Sequence, residues 1–174
     1  MKKIKTLSLL SVMVVACTYA LAQSDAASAI KAYYSKEDSL TLKLDVAGLK
    51  KLHEVILTDD YVSIEKADKK GKVQKKTKAE ELANIGKLSQ IIASVTSSVS
   101  HVDLVTSGKT TVQAIVTSSG ELKTKPLGDG KAHTLSNTSK SQDTWVKVGG
   151  IWKMKSSRSL SNNLKVDGHP VPGQ

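Results

Sequence analysis

The chain has 174 residues, a formal net charge of +10 and 39% hydrophobic residues, enough for one domain with its own core. The basic excess is nearly all lysine, with Arg158 the only arginine, and neither an arginine cluster nor interleaved aromatics mark a nucleic-acid site. The single cysteine, Cys17, lies in the N-terminal segment, which excludes disulfide, thiol and cysteine-metal chemistry from the remainder.

Lys2, Lys3 and Lys5 precede an apolar run from Thr6 to Ala16, and Ala20-Leu21-Ala22 offers a small-x-small cleavage site before Gln23. Residues 1–22 are therefore expected to be a signal peptide and 23–174 the folded domain, secreted or periplasmic. The run is too short for a transmembrane segment. Val14-Val15-Ala16-Cys17 also resembles a lipobox, so a lipoprotein anchored to the membrane through Cys17 is the alternative.

Ser24 caps an expected helix from Asp25 to about Ser35, with Ala26, Ala29, Ile30 and Tyr33 on one stripe. Lys36 to Asp38 reads as a polar break. Leu40, Leu42 and Leu44 alternate as in a short strand, or else prolong the first helix. Asp45 is an N-cap for a second helix through Val46, Leu49, Leu52, His53 and Ile56, ending near Thr58. Asp59-Asp60 ends a loop that feeds a strand at Tyr61–Ile64. The charged stretch Asp68 to Lys76 reads as a solvated turn with a further short strand at Lys72 to Lys75. Thr77-Lys78-Ala79-Glu80 is a capping box opening a third helix with Leu82, Ile85, Leu88 and Ile92 on its stripe.

From His101 the apolar period becomes two. Val102 and Leu104, then Val112, Ala114 and Val116, are expected on one face across a turn at Ser107 to Lys109. Gly120 to Lys131 reads as a mobile connection and Ala132 to Val148 as a long polar strand. Gly149-Gly150 supplies the positive φ angles of a tight hairpin turn. A constant register then sets Val148 opposite Ile151, Lys147 opposite Trp152, Trp145 opposite Met154, Asp143 opposite Ser156 and Ser141 opposite Arg158. That places Trp145, Trp152, Met154, Asp143 and Arg158 on one face. His169 and the prolines after it form an irregular tail. Helices first and antiparallel strands after them give an α+β class, with N-terminal helices packed on a curved, mainly antiparallel sheet.

This order, with Leu49-x-x-Leu52 leading to Asp59-Asp60-Tyr61-Val62, Thr77-x-x-Glu80, Gly108-x-Thr110, and Asp143-Thr144-Trp145-Val146-Lys147 followed by Gly150-x-Trp152-Lys153, resembles the nuclear transport factor 2-like superfamily in its SnoaL-like branch. The resemblance runs from about Ala26 to Val171. It implies a cone whose bent sheet wraps the helices and leaves an apolar cavity at the open end, in a family whose members often form a homodimer packed through the sheets. The superfamily holds isomerases, dehydratases and cyclases as well as members without known catalysis, so the fold leaves the chemistry open.

The ligand-cavity candidates are Tyr33, Asp143, Trp145, Trp152, Met154 and Arg158. Plain core packing is the competing reading for the tryptophans and Met154, and an exposed charge for Arg158. Asp59 and Asp60 are read as solvated helix-terminating acids rather than bases, Tyr33 as core and Tyr34 as partly exposed. His53, His101, His133 and His169 lack metal-ligand spacing, so neither a metal nor another cofactor is expected. No Gly-x-Ser-x-Gly elbow supports a nucleophilic hydrolase.

Three functions remain open. The first is an exported module that binds a small hydrophobic ligand or partner segment without catalysis. The second is an isomerase- or dehydratase-type acid-base enzyme acting through Asp143 or Tyr33, and the third a basic structural or polyanion-binding envelope protein. A pocket holding a desolvated carboxylate beside a second polar group would favour the enzyme.

Overall fold

A computed structural model describes residues 25–65 and 73–171. The expected signal peptide with Cys17, the turn at Asp68–Gly71 and Pro172 lie outside the described residues.

Helix α1 occupies 25–42, so the prolonged-helix reading holds and there is no break at Lys36–Asp38. These acids have partners: Glu37 bonds Tyr33 and His53, while Asp38 accepts from Ser98 Oγ, Ser100 N and Ser100 Oγ at 2.8, 2.8 and 3.1 Å. The helix ends with Leu44 in the left-handed region at φ 49°, as Asp45 N bonds back to Leu40 O. Helix α2, Val46–Ile56, starts on the expected cap, Asp45, whose carboxylate accepts from Gly48 N at 2.8 Å. A Cβ at Gly48 would lie 2.5 Å from Asp45 Oδ2 and 2.8 Å from Leu40 Cδ2, so both side chains would have to shift to admit one.

Strand β1, Leu57–Ile64, follows at once. Asp59 and Asp60 therefore lie within a strand rather than in a loop; they face outward and pair with Lys78 and Lys155. Strand β2 (Lys75–Thr77) leads through the complete Thr77–Glu80 capping box into α3, Lys78–Ile91, which buries Ile85. Ile92 is not on that helix. It begins β3 (Ile92–Ser107), a strand longer than the stretch expected from His101, because serines and threonines alternate with Val95 and Val99 and hide the period. Strands β4 (Thr111–Thr124), β5 (Thr134–Val148), β6 (Ile151–Val166) and β7 (His169–Pro170) complete the sheet. The expected mobile connection is thus strand as far as Thr124, held by pairing on both sides. Part of the expected irregular tail pairs with β6 as β7.

The sheet order is β2-β1-β6-β5-β4-β3, with β7 on β6. All pairs are antiparallel except β1 with β6, and α1 lies in the concavity. On the β3–β4 pair Val102 faces Val116 and Leu104 faces Ala114, one inward face as expected although offset by two residues. The main core joins Ala26, Ile30, Tyr33 and Tyr34 to Val112, Val116, Trp145, Trp152 and Met154. Each such large apolar side chain contributes about 1.5–3 kcal/mol by leaving water.

The hairpin register holds from Val148↔Ile151 to Trp145↔Met154 and then shifts. A bulge at β6 sets Asp143 opposite Ser157 and Gln142 opposite Arg158. One extra residue turns the side chains that follow to the other face, until a second shift beyond Ser159 restores the original alternation. Ser157 therefore points inward where Ser156 was expected, and Arg158 is exposed, which overturns its placement on the Trp152 face.

Candidate functional site

Helix α1 carries a buried polar cluster into the concavity. Tyr34 OH donates to Asp143 Oδ2, and Ser157 Oγ donates to Asp143 Oδ1 at 2.6 Å. Asp143 is 1% exposed, and burial raises its carboxyl above the usual range, opposed by the bonds from Ser157, Tyr34 and Ser141. Next to it, Tyr33 OH lies 3.2 Å from both Glu37 Oε1 and His53 Nε2, and His53 Nε2 is 2.8 Å from Glu37 Oε1. Burial raises both phenols well above their ordinary value. Edge-to-face contacts lock the set: Tyr33 to Tyr34 at 4.8 Å and Tyr33 to Trp145 at 5.2 Å.

A separate cavity of about 370 Å³ opens where α1 and α3 end and the strands run on past the core. Leu44, Leu49, Leu88, Ile92, Leu122, Leu135 and Leu164 give it apolar walls, with Ser98, Ser118, Asn137 and Asn162 among them. Its volume is at the small end of ordinary ligand sites, roughly 300–1,000 Å³. The cavity exists because inward positions on β4 change from Val112, Ala114 and Val116 to Ser118 and Gly120, which lack the volume to meet the helices.

Of the six candidates, Tyr33 and Asp143 meet around Tyr34 and Trp145 in the buried cluster, whereas Trp152 and Met154 are core near the turn. Trp152 Nε1 donates to Asp25 Oδ2 at 3.3 Å, and Lys147 Nζ bonds the same oxygen at 2.7 Å, which holds that carboxyl low. None of the six lines the apolar cavity. Tyr34, expected partly exposed, is buried, because the curved sheet covers α1 on more than one side.

His101 is exposed beside Asp103, and His133 lies between Asp129 and Asp167. Among the described residues no three His, Cys, Asp or Glu side chains converge on a metal position, and no helix is long and apolar enough to cross a membrane. The sequence reading missed Glu37, His53, Ser157 and the cavity wall. A signal was present on β5: counting back in twos from Trp145 gives Asp143, Ser141, Ser139, Asn137 and Leu135, the inward row that joins acid to cavity.

No family model matches the sequence, and no curated protein does. Solved structures do match in shape. A structure of LinA aligns with a TM-score of 0.62 at 14% identity, over 90% of this chain and 96% of that one. A hexachlorocyclohexane dehydrochlorinase, LinA-type3 of Novosphingobium barchaimii, aligns at 0.59 and 15%, over 88% and 95%. A scytalone dehydratase-like protein of Novosphingobium aromaticivorans aligns at 0.60 and 12%, over 81% and 88%. With helices lodged in a curved, mostly antiparallel open sheet and these neighbours in the nuclear transport factor 2-like, SnoaL-like superfamily, the chain has that superfamily's α+β cone fold.

Proposed function

We propose that this protein is a binding module for a small, mainly apolar molecule held in the cavity between the ends of α1 and α3 and the far ends of β3 to β6. The observation that carries this reading is the separation of cavity and carboxylate. The walls are mostly leucine, isoleucine, serine and asparagine, and their one carboxylate, Glu121, is exposed, whereas the desolvated acid, Asp143, is sealed in the core with both oxygens engaged. General acid-base catalysis requires the group within hydrogen-bond reach of substrate. The test uses N-phenyl-1-naphthylamine, a neutral probe that brightens in apolar sites. Saturable one-to-one binding, lost when Leu164→Trp fills the cavity, is expected; no binding, or equal binding by the variant, rejects the reading.

An acid-base enzyme is the second reading. It is favoured by the desolvated Asp143 beside Tyr34, by the Tyr33–His53–Glu37 triangle, and by neighbours named as a dehydrochlorinase and as dehydratase-like. It requires the core to open. Elimination activity toward small halogenated or hydroxylated rings, abolished by Asp143→Asn in a folded protein, would establish it.

Export is part of the proposal, on the strength of Lys2 to Ala22. Intact mass should show a chain beginning at Gln23; an acylated Cys17 as first residue would instead anchor the protein to a membrane.

A further inference from the structure

The convex side of the sheet, turned away from α1, collects the positive charge. Buried Val112, Val116, Trp145 and Trp152, with Ser157 at Asp143, fix the inward side, and residues paired across strands share a face. Lys75, Lys123, Lys140, Lys153, Arg158 and Lys165 therefore stand on the convex side, and all but half-buried Lys153 are exposed. Among the described residues no carboxylate pairs with any of the six, whereas Lys76, Lys78, Lys147 and Lys155 each have one. The acids of that face without a lysine partner are Asp103, beside His101, and Glu121, which accepts from Thr96 Oγ1 at 3.1 Å. Away from this face the described lysines are matched in number by acids, so the convex side carries the whole positive excess of the described residues.

The arrangement restricts the partner. Arg158 aligns with Ile64 and Lys75 across β6, β1 and β2, while Lys140 lies one strand and two residues from Arg158. With strands about 4.8 Å apart and a rise of about 3.3 Å per residue, that last separation is roughly 8 Å, too wide for one small anion to bridge. The partner has to repeat its charge. A second copy packed through the same face would oppose like charges. A bilayer meets only the crest of a convex surface and is held by exposed aromatic rings, but Tyr33, Tyr34, Tyr61, Trp145 and Trp152 are all buried. Their burial also removes the stacking platform that single-stranded nucleic acid uses. Five of the six cations are lysines, point charges without the planar fork that reads phosphate through two bonds. Between them lie Gln113, Thr117, Gln142 and Thr144, neutral groups that exchange hydrogen bonds with hydroxyls.

We propose that the convex face is a docking surface for an acidic polysaccharide, a flexible chain of hydroxyl and carboxylate groups, centred on Lys140, Lys153 and Arg158. It lies on the opposite side of the sheet from the cavity and does not rest on the binding function proposed above.

Fluorescence anisotropy with labelled polygalacturonate tests it. Saturable binding that weakens steeply with salt is expected, with none to neutral dextran. Lys140→Gln with Arg158→Gln should weaken binding about 10-fold and flatten its salt dependence. Lys50→Gln with Lys51→Gln removes the same charge from exposed positions of α2 and should change the affinity less than about 2-fold. All four side chains are on the surface, and circular dichroism establishes that both variants are folded. Equal losses from the two pairs would show a response to net charge alone, and that result, or no binding to polygalacturonate, overturns the proposal. Tighter binding to polyphosphate or to phosphatidylglycerol vesicles than to polygalacturonate overturns the polysaccharide assignment and gives the face to that partner.

Discussion

The same strands build two unlike halves of the molecule. Toward the β5–β6 turn the inward positions are Val112, Ala114, Val116, Trp145, Trp152 and Met154, and the interior is closed. Toward the other end the same faces present Ser118, Gly120, Leu122, Leu135, Asn137 and Leu164, and a cavity remains. The chain has two tryptophans and no phenylalanine, and both tryptophans are in the closed half. Side-chain volume is thus distributed unevenly along an otherwise regular sheet. The closed half secures the fold, and the open half is free to hold a guest.

The largest expected effect tests that division directly. Trp145→Ala should cost about 3–5 kcal/mol by chemical denaturation, because a rigid core cannot fill so large a gap. Leu164→Ala, at the half-exposed cavity wall, should cost under about 1 kcal/mol. Equal losses would mean that the halves do not differ in their hold on the fold.

A smaller loss is expected within the buried cluster. Tyr34→Phe keeps the ring contacts with Tyr33 and Trp145 but leaves Asp143 Oδ2 without its phenolic donor. The cost should be about 1–3 kcal/mol. A neutral result would show that solvent reaches Asp143, which would weaken the separation of acid from cavity.

The pH dependence sharpens the same point. The folded-state carboxyl of Asp143 is raised above its ordinary 3.8 by burial. Its neutral form is therefore preferred in the fold, and its contribution becomes less favourable as pH rises from below 3.8 through the raised value. Asp143→Asn does not titrate. The stability of wild type relative to this variant should fall across that interval in denaturation curves at successive pH values, and a rise would show a carboxylate stabilised as the anion.

The smallest effect belongs to the rim of the open half. His133 Nδ1 is 2.7 Å from Asp167 Oδ2 and His133 Nε2 is 2.9 Å from Asp129 Oδ2, so two carboxylates face two ring nitrogens, with His169 near Asp167. Only the imidazolium donates from both. The bonds it donates to Asp167 and Asp129 raise His133 above 6.5; the bonds from Lys131 N to Asp129 and from His133 to Asp167 lower those carboxyls below 3.8. The histidine contribution is complete below about 6.5 and is lost as pH rises through the raised value; the carboxylate contributions are lost as pH falls through their depressed values. An NMR titration should place the His133 midpoint above 6.5, and Asp167→Asn should move it back toward that value.

Much of the framework was legible in the chain. Asp45 as a cap, the Thr77–Glu80 box, the Gly149-Gly150 turn and the α+β order follow from local chemistry and appear as read. The candidate residues were legible less well, because burial and register are properties of neighbours. The β6 bulge moved Arg158 outward and brought Ser157 to Asp143, and nothing in a run of serines announces one additional residue. Pairing with α2 and β3 likewise turned Lys36–Asp38 from a polar break into a helix interior.

Caps, turns and apolar periods act over a few residues, so the sequence by itself determined the order and type of most elements. Tertiary structure alone decided that Asp143 is sealed against Tyr34 and Ser157, and that the cavity lies among residues marked by no motif. Tyr34 and Asp143 are 109 positions apart, and the cavity wall draws on α1, α2, α3 and four strands. Such a site is defined by volume left unfilled where distant segments meet, and that quantity is carried by their packing rather than by any one stretch of chain.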